Sequence, residues 1–226
     1  MRKFLPFVVL LATGCAMPPQ VPPAALPPAA RAAEALPYEA WSIVTSRLEV
    51  RVYRDGPMMQ FGHNHVITSD ALAGVIELRD SRTASGFTLD LPLASLLVDD
   101  PAARAAAGPD FANPVPAKDR EGTVHNMLGP AVLDAARQAV LRFTADGISG
   151  GPGDYTARVR VGLRGEERVI DVPLTVSLEG DLMRIHANVH LHHADLGLAP
   201  FSIALGALRV RDVFEIDCRL EARRAT

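Results

Sequence analysis

The chain has 226 residues, 48% hydrophobic and 22% charged, with a formal net charge of −3. That balance excludes a largely disordered chain and lacks the concentrated positive field that a nucleic-acid surface needs, so no nucleic-acid partner is expected. Cys15 and Cys218 lie near opposite ends of the sequence and make no disulfide framework, which leaves Cys218 alone.

Arg2 and Lys3 precede an apolar run from Phe4 to Ala12 that is too short to cross a bilayer as a stable helix. The run ends in Leu11-Ala12-Thr13-Gly14-Cys15, which resembles the bacterial lipobox. That resemblance implies a signal peptide over 1–14 and a Cys15 that carries diacylglycerol and palmitate as the new N-terminus. The alternative is an ordinary secretory signal cut near Ala16. Ala16 stands where an aspartate would retain a lipoprotein at the inner membrane, so the expected destination is the outer membrane, facing the periplasm. From 15 to 40 the chain is rich in alanine and proline. Proline has no N–H and a fixed φ, so this lipidated stretch should act as an extended spacer. The folded domain is expected over 41–226.

Beyond Trp41, period-two alternation dominates. Leu48, Val50 and Val52 share one face; so do Phe87, Leu89 and Leu91. Tyr155, Ala157, Val159, Val161 and Leu163 form a third such face, and Phe214, Ile216, Cys218 and Leu220 a fourth. Turn residues separate the runs at Asp55-Gly56, Asp146-Gly147, 150–153 and Glu179-Gly180-Asp181. Two stretches depart from the pattern. Pro101 to Ala107 is alanine-rich, and Val124 to Gln138 places Met127, Leu128, Val132, Leu133 and Ala136 at helical spacing. This second stretch is expected to be a short helix across one end of the sheet. Gly108 to Gly122 is expected to be a polar rim loop.

Four segments resemble the YceI-like family across most of 42–222. Ser46-Arg47-Leu48 leads to Phe61-Gly62-His63-Asn64-His65-Val66-Ile67 and then to Leu72-Ala73-Gly74-Val75. Met127-Leu128-Gly129 and Val132-Leu133-Asp134 precede Leu141-Arg142-Phe143. Asp195-Leu196-Gly197 and Val210-Arg211-Asp212 complete the set, with Leu196 where relatives often carry phenylalanine. The resemblance implies an all-β fold: an antiparallel, lipocalin-like barrel with one or two short helices. It implies binding, carriage or storage of an isoprenoid-like amphiphile (a polyisoprenoid lipid) in the cell envelope, with no catalytic residue and no cofactor. Small aliphatic residues would leave room for a slender chain inside such a barrel, but the same residues could equally form a filled core.

The histidines divide into two groups. His186, His190 and His192 share one strand face with Arg184 and Asn188, opposite an apolar face, and are expected to point into solvent rather than to hold a metal. His63 and His65 are read on one strand face with Met59, Phe61 and Ile67, turned inward or towards the barrel mouth. There they are candidates for fixing an amphiphile's head group, with Phe61, Ala157 and Val159 lining the lumen. A core pair satisfied by backbone carbonyls is the plain alternative. A second function for His63 and His65 is a quinone- or metal-associated redox accessory. No nucleophile elbow, P-loop, zincin helix, CxxC or Rossmann fingerprint is present.

Overall fold

In a strand, successive side chains point to opposite faces, so each alternating run can cover a lumen with one face and meet water with the other. The computed structural model describes residues 39–79, 81–82 and 85–225. The leader, Cys15 and the linker up to Tyr38 lie outside the described residues. In chain order the elements are β1 (Glu39–Val52), β2 (Arg54–Asp55), β3 (His65–Ser69), β4 (Ala73–Leu78), β5 (Gly86–Pro92) and β6 (Leu97–Val98). Then come α1 (Pro101–Ala106), α2 (Ala117–Leu128), β7 (Val140–Gly151), β8 (Asp154–Leu163) and β9 (Glu166–Glu179). The last are β10 (Leu182–His192), β11 (Ser202–Ile203), β12 (Leu208–Val210) and β13 (Val213–Arg224).

The long strands form a closed antiparallel barrel of 8 strands. β1 pairs with β13 along one edge and with both β3 and β4 along the other. β3 and β4 keep one register on β1 (Leu48↔Ser69 and Ser42↔Val75), so they act as a single strand parted over 70–72. β5, β7, β8, β9 and β10 follow in sequence, and β10 returns to β13. Against β13, β1 shifts register between Ile43 and Thr45, which turns Val44 outward. A bulge of this kind bends a strand and re-aims its side chains.

One seam is incomplete. β9 pairs with β8 from Glu166 to Thr175, but with β10 only from Thr175 to Glu179. The ladder stops two residues short of Pro173, which has no N–H to donate and is tolerated only where a strand lacks a neighbour.

Trp41, Ile76, Met183 and Ala222 pack together at the end where β1 starts, with the Arg224 guanidinium 5.1 Å over the Trp41 ring. The opposite end carries the helices and the small β11–β12–β2 sheet.

The helix expected over Val124 to Gln138 lies earlier, and the rim expected as a loop over Gly108 to Gly122 supplies its first half. α2 follows Pro116 and ends before Gly129-Pro130, because proline forces the residue before it out of the helical region. No α2 residue is fully buried, so the helix carries little of the apolar periodicity that marks a packed one.

Gly74 has φ +151, and a Cβ there would meet the Thr88 carbonyl oxygen on β5. Gly74→Ala should therefore lower stability by roughly 1–3 kcal/mol, the usual cost of a strained backbone position. A urea melt would show this as an earlier midpoint; an unmoved midpoint would mean that β4 and β5 separate there without cost.

Candidate functional site

The barrel encloses a cavity of about 810 Å³ that runs from Leu78, Phe87 and Leu178 at one end to His63, His65 and Leu208 at the other. Its walls are aliphatic: Leu48, Val50 and Val52 from β1, Ile170, Val172 and Leu174 from β9, Ala187, Val189 and Leu191 from β10. The inward side chains of β9 are only half-buried, as expected where they face a void rather than each other. A volume of this size with apolar walls and few polar groups is the form of a small-molecule site. Cys218 also lines it, and burial, assisted by the Asp217 charge, pushes its thiol up to about 12. The thiol is thus an apolar wall element rather than a nucleophile.

Arg79, Arg82 and Ser85 line the end near Leu78, and a larger polar cluster stands at the helical end, where one carboxylate organises it. Asp99 is fully buried, with φ +57 at the turn into α1. One of its oxygens accepts from the Arg104 guanidinium (2.6 Å) and the Val66 amide (3.0 Å); the other meets His65 Nδ1 at 2.6 Å. Burial alone would raise the Asp99 carboxyl, but the hydrogen bond and charge of His65, the Val66 amide and Arg104 outweigh it, so it lies below the usual carboxylate range. Arg104 also donates to the carbonyls of Asn64, Phe111 and Asn113 at 2.7–2.8 Å. The neighbouring Asp100 caps α1 through the amides of Ala102 and Ala103.

This network sets the direction of His65. With Nδ1 held by Asp99, Nε2 faces the Thr123 hydroxyl at 3.3 Å, and both residues line the cavity mouth. His63 Nε2 lies 3.2 Å from Asp119 on α2. Asn64, between them, accepts from the Arg54 amide and donates to the Asp110 carbonyl, so it ties two loops together. The His-Asn-His tripeptide thus places two imidazoles at the mouth on either side of a structural amide.

The other sequence candidates are placed unevenly. Val159 lines the cavity, whereas Ala157 is wholly covered and packs with Ala145 and Val159 behind the lining. Phe61 corrects the expectation of an inward strand position. It ends a short 3-10 turn (Met59–Phe61), is 69% exposed, and does not line the cavity. The strand begins only at His65, because Gly62 and the loop contacts of Asn64 interrupt the alternation before it. His186, His190 and His192 lie on the outer face of β10, opposite Asp217 (2.7 Å), Glu215 (3.8 Å) and Asp212 (2.7 Å). The hydrogen bond and charge of Asp212 raise the His192 pKa. Among the described residues no three potential ligand side chains converge on a metal-sized point. Asp99, Arg104, Asp119 and Thr123 were not candidates in the sequence. The one available hint was Asp99-Asp100-Pro101: a helix start needs a single capping carboxylate, so the second is free for other work.

No family model matches the chain, and no curated protein does. Solved structures do. Burkholderia cenocepacia BcnA is similar with a TM-score of 0.54 at 13% identity, covering 80% of this chain and 96% of that one. A Campylobacter jejuni YceI protein is similar at 0.51 and 11%, covering 71% and 85%. A mutant of that protein with a monobromobimane guest gives 0.51 at 10%, again covering 71% and 85%. At such identities the likeness is one of fold, and the YceI-like barrel expected from the sequence is present at that level.

Asp99→Asn should cost roughly 3–5 kcal/mol at neutral pH, because it leaves Arg104 buried without its counter-charge. A carboxyl depressed in the fold contributes stability above its unfolded pKa and loses it as pH falls through the folded value. Wild-type stability should therefore decline below about pH 5, and the variant should decline less steeply over that window. Denaturant melts at pH 7, 5 and 3 check both; parallel declines would remove Asp99 from the account.

Proposed function

We propose that this chain is a YceI-like binding protein whose barrel holds an isoprenoid-like or other slender amphiphilic lipid. The observation that carries the reading is the continuous apolar tunnel of about 810 Å³ with its organised polar cluster at one end. The chain of the lipid lies along Val50, Val172 and Val189, where removal from water supplies affinity at about 25 cal/mol per Å². The head group sits at the mouth, within reach of His65 Nε2, the Thr123 hydroxyl and Asn126. Asp99 acts through His65 as a positioning residue, since it fixes which ring nitrogen faces the ligand. A metal-associated redox role for His63 and His65 has less support, because among the described residues no third ligand side chain converges with them. The reading includes a place: the leader and Cys15 support a barrel tethered to the outer membrane by an acylated cysteine and a proline-rich spacer.

Ala187 lines the tunnel from β10 and is small enough to be enlarged. Ala187→Trp should leave the melting temperature nearly unchanged and abolish the lipid that co-purifies with wild type, as read by organic extraction and mass spectrometry. In a filled core the same change would cost about 1–3 kcal/mol. A destabilised variant beside a lipid-free wild type would defeat the carrier reading.

The tether is tested separately. Cys15→Ser should move the protein from the membrane fraction to the soluble or unprocessed one. Continued fatty-acid labelling of that variant would refute the anchor.

A further inference from the structure

Two loops at the tunnel mouth expose apolar side chains that no packing requires. Met58, Met59 and Phe61 project from the connection between β2 and β3; Ile203 and Leu205 project from the connection around β11 and β12. The loops are one unit, since the Met58 amide donates to the Ala207 carbonyl (2.9 Å) and β2 pairs with β12. Ala204, Leu205 and Gly206 all have positive φ, at 50°, 56° and 88°. Only glycine adopts that region without strain, so the chain holds Leu205, wholly exposed, in a conformation it would otherwise avoid.

We propose that this tip is a membrane-docking surface through which the bound lipid enters and leaves. The inference rests on the lipid-binding reading and adds the partner: the surface of a bilayer. Continuity with the tunnel is the main support. Ile203 is half exposed at the tip and also lines the cavity, as do Leu208 and Gly62 behind it. Seated on a bilayer, the tip joins the acyl region to the tunnel wall, so an apolar chain passes from one to the other without being hydrated. Apolar rather than ionic attraction is expected, because on the same small sheet Arg209 is neutralised by Asp55 at 2.9 Å and the half-buried Arg54 guanidinium is turned to the Gly62 carbonyl at 2.7 Å. A neutral phosphatidylcholine vesicle is therefore a sufficient probe, and raised salt should change little.

The native Trp41 is fully buried at the far end of the barrel and serves as a constant background. In the full chain, Leu205→Trp places an indole at the tip, and Val44→Trp places one on the exposed outer wall as control. With phosphatidylcholine vesicles whose acyl chains carry bromine, emission from Leu205→Trp should shift to the blue and be quenched severalfold more than that from Val44→Trp. Equal quenching at both positions, or none at 205, overturns the proposal. Emission at 205 that is already blue without vesicles, and insensitive to bromine, also overturns it, since the tip is then covered by another segment or a second copy. As a second measurement, Phe61→Glu with Leu205→Glu should slow uptake of a fluorescent isoprenoid from vesicles at least tenfold and leave uptake from dilute solution unchanged; equal slowing from both sources overturns it. The two failures are separable. Quenching reports docking whatever the tunnel holds, and a tunnel that carries no lipid shows itself by extraction.

Discussion

The pairing of β1 with β13 is the constraint on which the rest depends. Without it the sheet would be open, with two free edges and no enclosed volume; with it the ring is closed and its width is set by strand number. A ring of this size can be filled by side chains or can hold one small ligand. Side-chain volume decides between these outcomes. Valine, alanine and leucine on β8, β9 and β10 do not reach across, so an apolar tunnel remains. The bulge at Val44 serves the same closure, since it lets β1 follow β13 while changing which residues face inward.

Polar chemistry inside such a ring is expensive unless each charge is matched. The mouth meets this condition with a compact arrangement: one carboxylate, one guanidinium and one imidazole, supplied by the turn before α1, by α1 and by β3. The carbonyls of Asn64, Phe111 and Asn113 absorb the remaining Arg104 donors. Among the polar groups at the tunnel mouth, this network directs one imidazole nitrogen, beside the Thr123 hydroxyl. The affinity of such a site would come from the walls, and orientation from these two atoms.

Strands were legible in the sequence because their signal is local: the alternations at Leu48–Val52, Tyr155–Leu163 and Phe214–Leu220 coincide with β1, β8 and β13. The helix was displaced because α2 covers the tunnel mouth, and a helix with no fully buried residue lacks the periodicity that would betray it. Phe61 was drawn into a strand because its apolar character continued the pattern of Ile67; the loop contacts of Asn64 that end the strand are long-range and invisible locally. For the same reason the sequence showed His65 but not Asp99, which is 34 residues away and meets it only in the fold. Pro173 is different. A proline inside an alternating run was a readable sign that one neighbour would be missing.

That missing neighbour has a mechanical consequence. Along most of the ring the distance between strands is dictated by backbone hydrogen bonds, which hold a spacing of about 4.8 Å. Between the first half of β9 and the second half of β10 no ladder does so, and the two strands are held apart only by what lies between their side chains. The bore of the tunnel is therefore compliant in one direction: it can widen by parting Ile170 and Val172 from Ala187 and Val189 without breaking a ladder bond. Length along the tunnel is fixed by the strands, whereas on this side no ladder fixes its girth.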